Sequence, residues 1–97
     1  MATLEEIKNS LVQQKPILKE KYNVKHIGIF GSYIRSQQTQ KSDIDILIDY
    51  EEVPSLFTLI ELEYYLEEVL NAKVDLVTRK GIKPQLKESI LKEVVYI

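Results

Sequence analysis

The amino-terminal part of the chain carries apolar residues at the spacing of an α-helix. Leu4, Ile7 and Leu11 recur every three or four positions, which predicts a helix that begins near Thr3. Pro16 lacks the amide proton that a helix interior requires, so we expect it to end or kink this helix. Because proline suits the first helical turn, Pro16 is also expected to begin a second short helix.

Four later segments have the pattern of β-strands. Residues 24–30 form a β-branched and aromatic run that ends at Gly31, and residues 73–78 form a second such run. Residues 43–49 alternate isoleucines with positions that include three aspartates, which predicts a strand with one solvated, acidic face. Residues 94–97 are expected to form a short terminal strand.

Two further helices are expected between and after these strands. Ser55 is placed to cap a helix whose apolar positions continue to Leu70, and this helix is expected to be the longest. Residues 84–93 show the pattern of a last helix. The glutamates of the longer helix are expected on its solvated face: Glu61, Glu63, Glu67 and Glu68.

The predicted elements follow one another in the order α-β-β-α-β-α-β. Such an order is typical of an α/β (α+β) domain in which helices pack on a small mixed β-sheet. At 97 residues the chain is expected to form a single domain, residues 1–97, around one core. A domain of this size is too small to roof a cleft with a second lobe, so we expect its functional site on an open face.

Composition and charge narrow the classes of function. The chain has 13 Lys and Arg against 15 Asp and Glu, and this net charge of -2 disfavours direct nucleic-acid binding. The absence of cysteine and the single histidine exclude thiolate and multi-histidine metal sites and disfavour a Ser-His-Asp triad. No apolar run approaches the roughly 20 residues that span a bilayer, so we expect a cytoplasmic protein without membrane contact. The remaining chemistry is that of carboxylates.

Two short features could carry such chemistry. Asp43 and Asp45 lie on one face of a predicted strand, about 6.6 Å apart, where they either bind a divalent cation or lie solvated at a strand edge. Upstream, Gly31 and Ser32 close a hydrophobic strand and open a helical turn. Such a turn aims backbone N–H groups and a hydroxyl at an anion, and glycine permits close approach of a phosphate.

The spacing of these features resembles a known signature. The pattern GS-x10-D-x-D in IFGSYIRSQQTQKSDIDILID is similar to that of the polymerase beta-type nucleotidyltransferase superfamily. IFGS with SDIDILID resembles its smallest branch, the minimal nucleotidyltransferases, which are encoded beside HEPN-domain proteins. The resemblance covers nearly the whole chain and implies the minimal polymerase beta-like nucleotidyltransferase fold. It also matches Asp75 in KVDLVT to the family's third carboxylate, on the next strand.

The resemblance implies a role for each of these residues. Asp43 and Asp45 would hold two Mg²⁺ ions, and Asp75 would complete the metal site nearest the acceptor hydroxyl and could take its proton.

The turn residues would bind the nucleotide. Ser32 and the N–H groups of Gly31 to Tyr33 would hold the β and γ phosphates of ATP. Arg35 either adds a charge-assisted contact to these phosphates or is a solvated arginine at a helix end. Where the family often has glycine after this arginine, the chain has Ser36, which leaves the geometry of the turn open.

The implied activity is the transfer of AMP from ATP to a hydroxyl, expected to be a tyrosine, of a HEPN-type ribonuclease toxin. This chain would then be the antitoxin and form a hetero-oligomer with the toxin. Tyr96, Ile97 and the tyrosines of the longer helix, Tyr64 and Tyr65, are candidates for the contact. Two alternatives remain: an antitoxin that acts by stoichiometric binding without catalysis, and a transferase for a small molecule such as an aminoglycoside.

Overall fold

The computed structural model describes residues 3–97 and confirms the predicted order of elements. Two short 3-10 turns, Gly31–Tyr33 and Arg79–Gly81, follow the first and third strands. The helices and strands are α1 (Leu4–Tyr22), β1 (Val24–Phe30), β2 (Ile44–Tyr50), α2 (Leu56–Leu70), β3 (Val74–Thr78), α3 (Pro84–Glu93) and β4 (Val95–Tyr96).

The four strands form one mixed sheet in the order β3-β2-β1-β4. β1 runs antiparallel to both β2 and β4, whereas β2 and β3 are parallel and are connected through α2. The register places Asp45 opposite Phe30 of β1 on one side and opposite Asp75 of β3 on the other. The end of β1 and the beginnings of β2 and β3 therefore meet at one end of the sheet. The mixed α/β class is confirmed.

Each face of the sheet is covered by a different set of helices. The larger core lies beneath α1 and α2 and includes Ile44, Ile46 and Ile48 of β2. On the opposite face a smaller cluster forms beneath α3 around Leu47 and Phe30. Leu47 is only 1% exposed, so the prediction of a fully solvated second face for β2 is wrong beyond its first residues. α3 covers the middle of that face and leaves its beginning, with Asp45, open.

The first helix continues through Pro16, so the prediction that it ends there and that a separate short helix follows is wrong. α1 is 19 residues long, longer than the 15 residues of α2, which also corrects the expectation that α2 is the longest helix. The N–H that Pro16 lacks would have bonded to the carbonyl of Val12, four residues earlier. Val12 is 53% exposed, so water can bind that carbonyl. Leu11 and Leu18, on either side, are buried in the core and hold the helix on the sheet.

No helix within residues 3–97 has the length and apolarity needed to cross a bilayer.

The second helix both starts as predicted and covers the edge of the sheet. The Ser55 side chain accepts the N–H of Thr58 and caps the helix. Glu67 accepts the backbone N–H of Val74 at 3.0 Å, which supplies a partner to a strand that lies at the edge of the sheet formed by residues 3–97. Burial, with the charge of Glu67 beside it, raises the pKa of Glu63. Glu63 and Glu67 are half-buried and Glu67 bonds to β3, so the prediction of a solvated face is wrong for these two, whereas Glu61 and Glu68 are exposed as predicted.

The expected partner-facing residues differ in their exposure. Tyr64 and Tyr96 are 67% and 48% exposed. Tyr65 is half-buried, with its ring 5.8 Å from that of Tyr22, and the backbone N–H of Ile97 bonds to the carbonyl of Ile27. Of these four candidates, Tyr64 and Tyr96 therefore present the most side-chain surface to a partner. Near Tyr64 the outer side of α2 exposes further apolar side chains: Leu56, Phe57 and Ile60.

Gly28→Ala is expected to lower the free energy of unfolding by about 1–3 kcal/mol. A Cβ at this position would lie 2.6 Å from the Val94 side chain and 3.1 Å from the Val95 carbonyl oxygen, so β4 would have to move away from β1. Denaturant unfolding measures the change. Gln85→Ala, at an exposed position of α3, should stay within about 0.5 kcal/mol of the parent protein. A Gly28→Ala protein of unchanged stability would contradict the close packing of β4 on β1.

Candidate active site

Three aspartates meet at the open end of the sheet. Asp45 is half-buried on β2 and faces Asp75 across the β2–β3 pair, and Asp43 lies exposed just before β2. Burial, together with the charges of Asp75 and Asp43, raises the pKa of Asp45 from 3.8 to about 6, and the charge of Arg35 partly opposes the rise. The Asp45 carboxylate therefore lies in a field of like charge that a cation would relieve.

The three carboxylates suit a hard divalent cation in charge and in donor type, because Mg²⁺ prefers oxygen ligands. As the side chains stand in residues 3–97, no three Asp, Glu, His or Cys groups are close enough together to enclose a metal ion. Asp43, Asp45 and Asp75 would therefore have to turn toward one another to share one. Asp43 and Asp75 are exposed, so their side chains have room to do so.

Gly31 packs directly against the central carboxylate. Its backbone has φ of 80°, a left-handed conformation that strongly favours glycine. A Cβ on Gly31 would also overlap the Asp45 carboxylate, at 2.8 Å from its Cγ atom. The sequence explains a glycine at this position by the close approach of a phosphate. The structure adds a second explanation, the close approach of the Asp45 carboxylate.

The turn after Gly31 closes on itself through backbone hydrogen bonds. The N–H groups of Ile34 and Arg35 bond to the Gly31 carbonyl at 3.0 and 3.1 Å, and that of Gln37 bonds to the Ser32 carbonyl at 2.9 Å. Ser36 has φ of 57°, again in the left-handed region. Ser36, at the position where the resemblance expects glycine, thus adopts a conformation that glycine adopts more easily. This conformation costs serine about 1 kcal/mol.

Arg35 and Gly31 share a partner that the sequence did not indicate. Glu93, the last residue of α3, accepts the Gly31 N–H at 3.0 Å through one carboxylate oxygen and forms an ion pair with Arg35 at 2.7 Å through the other. The Gly31 N–H, predicted to hold a phosphate, therefore bonds to a carboxylate of the protein, and its part in nucleotide binding stays a prediction. Arg35 is 51% exposed and ion-paired, so it is not simply a solvated helix-end arginine. Glu93 lies 62 residues from Gly31, and in the sequence it looks like any other charged residue near the end of a helix.

Of the other predicted nucleotide-binding residues, Ser32 is half-buried and lies beside Gly31 in the turn. The Tyr33 side chain is 4% exposed and belongs to the larger core. Its contribution to nucleotide binding can therefore come from its backbone N–H, as predicted, but not from the body of its ring.

A cavity of about 870 Å³ opens beside Asp43. Lys41 precedes Asp43 in its wall, Lys73 comes from the connection between α2 and β3, and Tyr33 contributes from the turn. The cavity brings these two cationic side chains together with two carboxylates, those of Asp43 and Glu6. Of the three site aspartates only Asp43 lines it, so the cavity adjoins one edge of the site and could admit a substrate group there.

Comparison with known sequences identifies the family. Residues 11–97 match the nucleotidyltransferase domain. Protein adenylyltransferase MntA of Thermococcus cleftensis is 48% identical over 97 residues, which cover all of this chain and 98% of that protein. A candidate protein adenylyltransferase of Methanocaldococcus jannaschii is 57% identical over 98 residues, which cover the full length of both.

Solved structures agree in fold. A candidate minimal nucleotidyltransferase superimposes with a TM-score of 0.74 at 27% identity and covers 92% of this chain and 93% of that one. A crystal structure of a toxin-antitoxin with AMP-PNP gives a TM-score of 0.77 at 24% identity, over 92% and 70% of the two chains, which shows a shared fold. Because the match to this domain spans most of its length, the chain belongs to the nucleotidyltransferase-domain family, and within it to the minimal nucleotidyltransferases.

Proposed function

We propose that this protein transfers AMP from ATP to a hydroxyl of a HEPN-domain toxin and so acts as its antitoxin. Residues 1–97 would act as one catalytic domain in a hetero-oligomer with that toxin. The acceptor we propose is a tyrosine, because a phenol, with a pKa of about 10, ionises more readily than an aliphatic hydroxyl.

One observation carries the proposal: Asp45 lies between Gly31 and Asp75. Gly31 contacts its carboxylate and Asp75 faces it across the β2–β3 pair. A turn that can bind phosphates and a cluster of carboxylates are thus neighbours at one end of the sheet. Phosphoryl transfer needs these two groups together, since it depends on positioning and on neutralising charge around the phosphorus.

Asp43, Asp45 and Asp75 are the residues we assign to holding two Mg²⁺ ions. When bound, such ions neutralise the negative charge that develops on the attacking and leaving oxygens. The raised pKa of Asp45 supports the assignment, because a carboxylate so placed gains most from a nearby cation.

The protein's own groups would act on the nucleotide and the acceptor. The hydroxyl oxygen of the acceptor forms a bond to the α-phosphorus, the bond from that phosphorus to the β-phosphate oxygen breaks, and pyrophosphate leaves. Asp75, exposed at the edge of the cluster, would accept the hydroxyl proton. Ser32, the backbone of the Gly31–Tyr33 turn and the exposed part of Arg35 would bind the β and γ phosphates.

The choice of acceptor follows from relatives and from the open face. The similar Thermococcus protein is named a protein adenylyltransferase. One structural neighbour is described as a tri-AMPylated Shewanella oneidensis HEPN toxin in complex with an MNT antitoxin. In this chain Asp43 and Asp75 are exposed at the end of the sheet, and a cavity that a partner's side chain could enter adjoins Asp43. A protein acceptor therefore fits better than a small molecule, which would need enclosing walls.

Asp43→Asn combined with Asp45→Asn is expected to reduce transfer by about a thousandfold or more. The double variant loses two of the charges that would hold the cations, and such cations stabilise the transition state by several kcal/mol. The measurement is intact-mass spectrometry of the proposed partner, a HEPN-domain toxin, after incubation with ATP and Mg²⁺. The parent protein should add one or more AMP units to it. The double variant should still bind the toxin in a pull-down but leave its mass unchanged.

Asp49→Asn is the matched control, because it removes one negative charge from the other end of the same strand. It should transfer AMP at close to the parent rate. Transfer by the double variant at the parent rate would overturn the assignment of the carboxylates. If the parent protein neutralises the toxin but adds no mass with any nucleoside triphosphate, stoichiometric binding is the better description.

Asp45→Asn should also stabilise the metal-free protein at neutral pH. The folded-state pKa of about 6 lies above the ordinary 3.8, so folding favours the protonated carboxyl. Its contribution to stability is therefore complete below about pH 4 and is lost as the pH rises through 6. Since the side chain is partly exposed, we expect the variant to gain roughly 1–2 kcal/mol over the parent at pH 7.5 and little at pH 4.

Thermal unfolding in EDTA across this pH range measures the difference between the two proteins. Mg²⁺ at pH 7.5 should raise the melting temperature of the parent more than that of Asp45→Asn, because it binds the folded site. A difference in stability that does not change between pH 4 and pH 7.5 would contradict the crowding of like charges at Asp45.

A further inference from the structure

The carboxylate of Glu93 connects the two ends of the glycine-serine turn. One oxygen accepts the N–H of Gly31, the first residue of the turn, and the other accepts a guanidinium N–H of Arg35, four residues later. The backbone N–H of Arg35 also bonds to the Gly31 carbonyl. A single side chain from α3 thus holds both ends of a turn that its own backbone already closes.

Glu93 is held in place by the packing on either side of it. Leu91 and Val94 pack in the cluster beneath α3 that also contains Phe30, the residue before Gly31. Beyond Val94 the chain pairs with β1, where Val95 lies opposite Ile29. The Glu93 side chain is 18% exposed: its bond to Gly31 is partly buried, whereas its ion pair with Arg35 lies at the surface. Both are charge-assisted hydrogen bonds.

The bond to Gly31 bears on the shape of the turn. It restrains the peptide between Phe30 and Gly31, which is the plane on one side of the Gly31 φ angle of 80°. The φ and ψ angles of Gly31 together set the direction of the next peptide, whose N–H belongs to Ser32. A change at Glu93 would therefore alter where the Ser32 N–H and hydroxyl point.

The bond to Arg35 fixes one edge of the guanidinium group and leaves another edge free. Gln37 accepts the Nε–H at 3.1 Å and Glu93 accepts an Nη1–H at 2.7 Å. Neither Gln37 nor Glu93 accepts from the other guanidinium N–H groups of Arg35, whose side chain is 51% exposed. Arg35 is thus held at a defined angle with donors still available to a phosphate oxygen.

We propose that Glu93 is a positioning residue for nucleotide binding: it fixes the glycine-serine turn and aims Arg35 at the triphosphate. This inference rests on the proposed function, because it assigns the phosphates to this turn. The opposite role would be competition, in which the carboxylate occupies donors that a phosphate needs. The two differ in sign, since removing a positioning group weakens nucleotide binding and removing a competitor strengthens it.

Calorimetric titration with AMP-PNP and Mg²⁺ tests the proposal on the full chain. Glu93→Ala is expected to raise the Kd by about tenfold, the loss expected for one charge-assisted hydrogen bond. Glu93→Gln should have a smaller effect, because its single amide oxygen can still accept from Gly31 or from Arg35. In AMP transfer the KM for ATP should rise in parallel, while kcat stays within about twofold.

Two control variants separate positioning from general stability. Glu88→Gln removes an exposed carboxylate of the same helix that pairs with Lys92, and it should leave the Kd unchanged. Val24→Ala removes packing from the larger core at the other end of β1, away from Glu93, so it should lower the melting temperature without changing the Kd at temperatures where the protein is folded. Combining Glu93→Ala with Arg35→Ala should cost less than the product of the two separate effects, because the residues act together.

Hydrogen exchange of the nucleotide-free protein provides a second, independent readout. Glu93→Ala should accelerate exchange of the Gly31 amide, whose acceptor it removes, and Glu88→Gln should not. Unchanged or tighter AMP-PNP binding by Glu93→Ala would overturn the proposal, as would unchanged exchange at Gly31. If the parent binds AMP-PNP but modifies no partner, the proposed function fails and the role of Glu93 stands. If the parent binds no AMP-PNP, both fail.

Discussion

The rest of the structure depends on one constraint, the pairing of three residues across the sheet: Phe30 on β1, Asp45 on β2 and Asp75 on β3. Strand side chains alternate between faces, so a shift of one residue in the pairing of β2 would turn Asp45 into the core and expose its isoleucines. Three buried isoleucines on β2 prevent such a shift, since each of them is at most 1% exposed. The hydrophobic core thereby fixes the position of the carboxylates without contacting them.

This end of the sheet collects features that do not favour folding. Asp45 has a raised pKa among like charges, Gly31 takes a left-handed conformation with no room for a Cβ, and Ser36 takes one that glycine would adopt more easily. Unfavourable local features of this kind cluster at functional sites and persist where the surrounding structure holds them. Here the two clusters on either face of the sheet provide that support.

The elements were predictable from sequence because their signals are local. The bounds of β1 and α3 and the cap at Ser55 each depend on residues within one segment, and all are as predicted. The continuation of α1 through Pro16 was not predictable, because it depends on which side of the helix faces water. Likewise the burial of Leu47 depends on α3, which is distant in sequence.

The residues of the candidate site likewise divide into those that local sequence signals predict and those that depend on distant contacts. The aspartates and the glycine could be selected by spacing, since the strand period places Asp43 and Asp45 on one face. Glu93 could not, because its role comes from a contact across 62 residues. Glu63 and Glu67 were assigned to solvent for the same reason, since only the sheet order shows that β3 is an edge strand.

The charges of the site couple its two proposed ligands. Glu93 pairs with Arg35, so the cation nearest the turn is already balanced by an anion of the protein. The three aspartates then leave the site with an excess of negative charge, and a triphosphate would be repelled by it. On the proposed function, a divalent cation reduces that repulsion and the triphosphate in turn adds oxygen ligands for the cation. Because such coupling is reciprocal, nucleotide affinity would depend on the metal as much as metal affinity on the nucleotide.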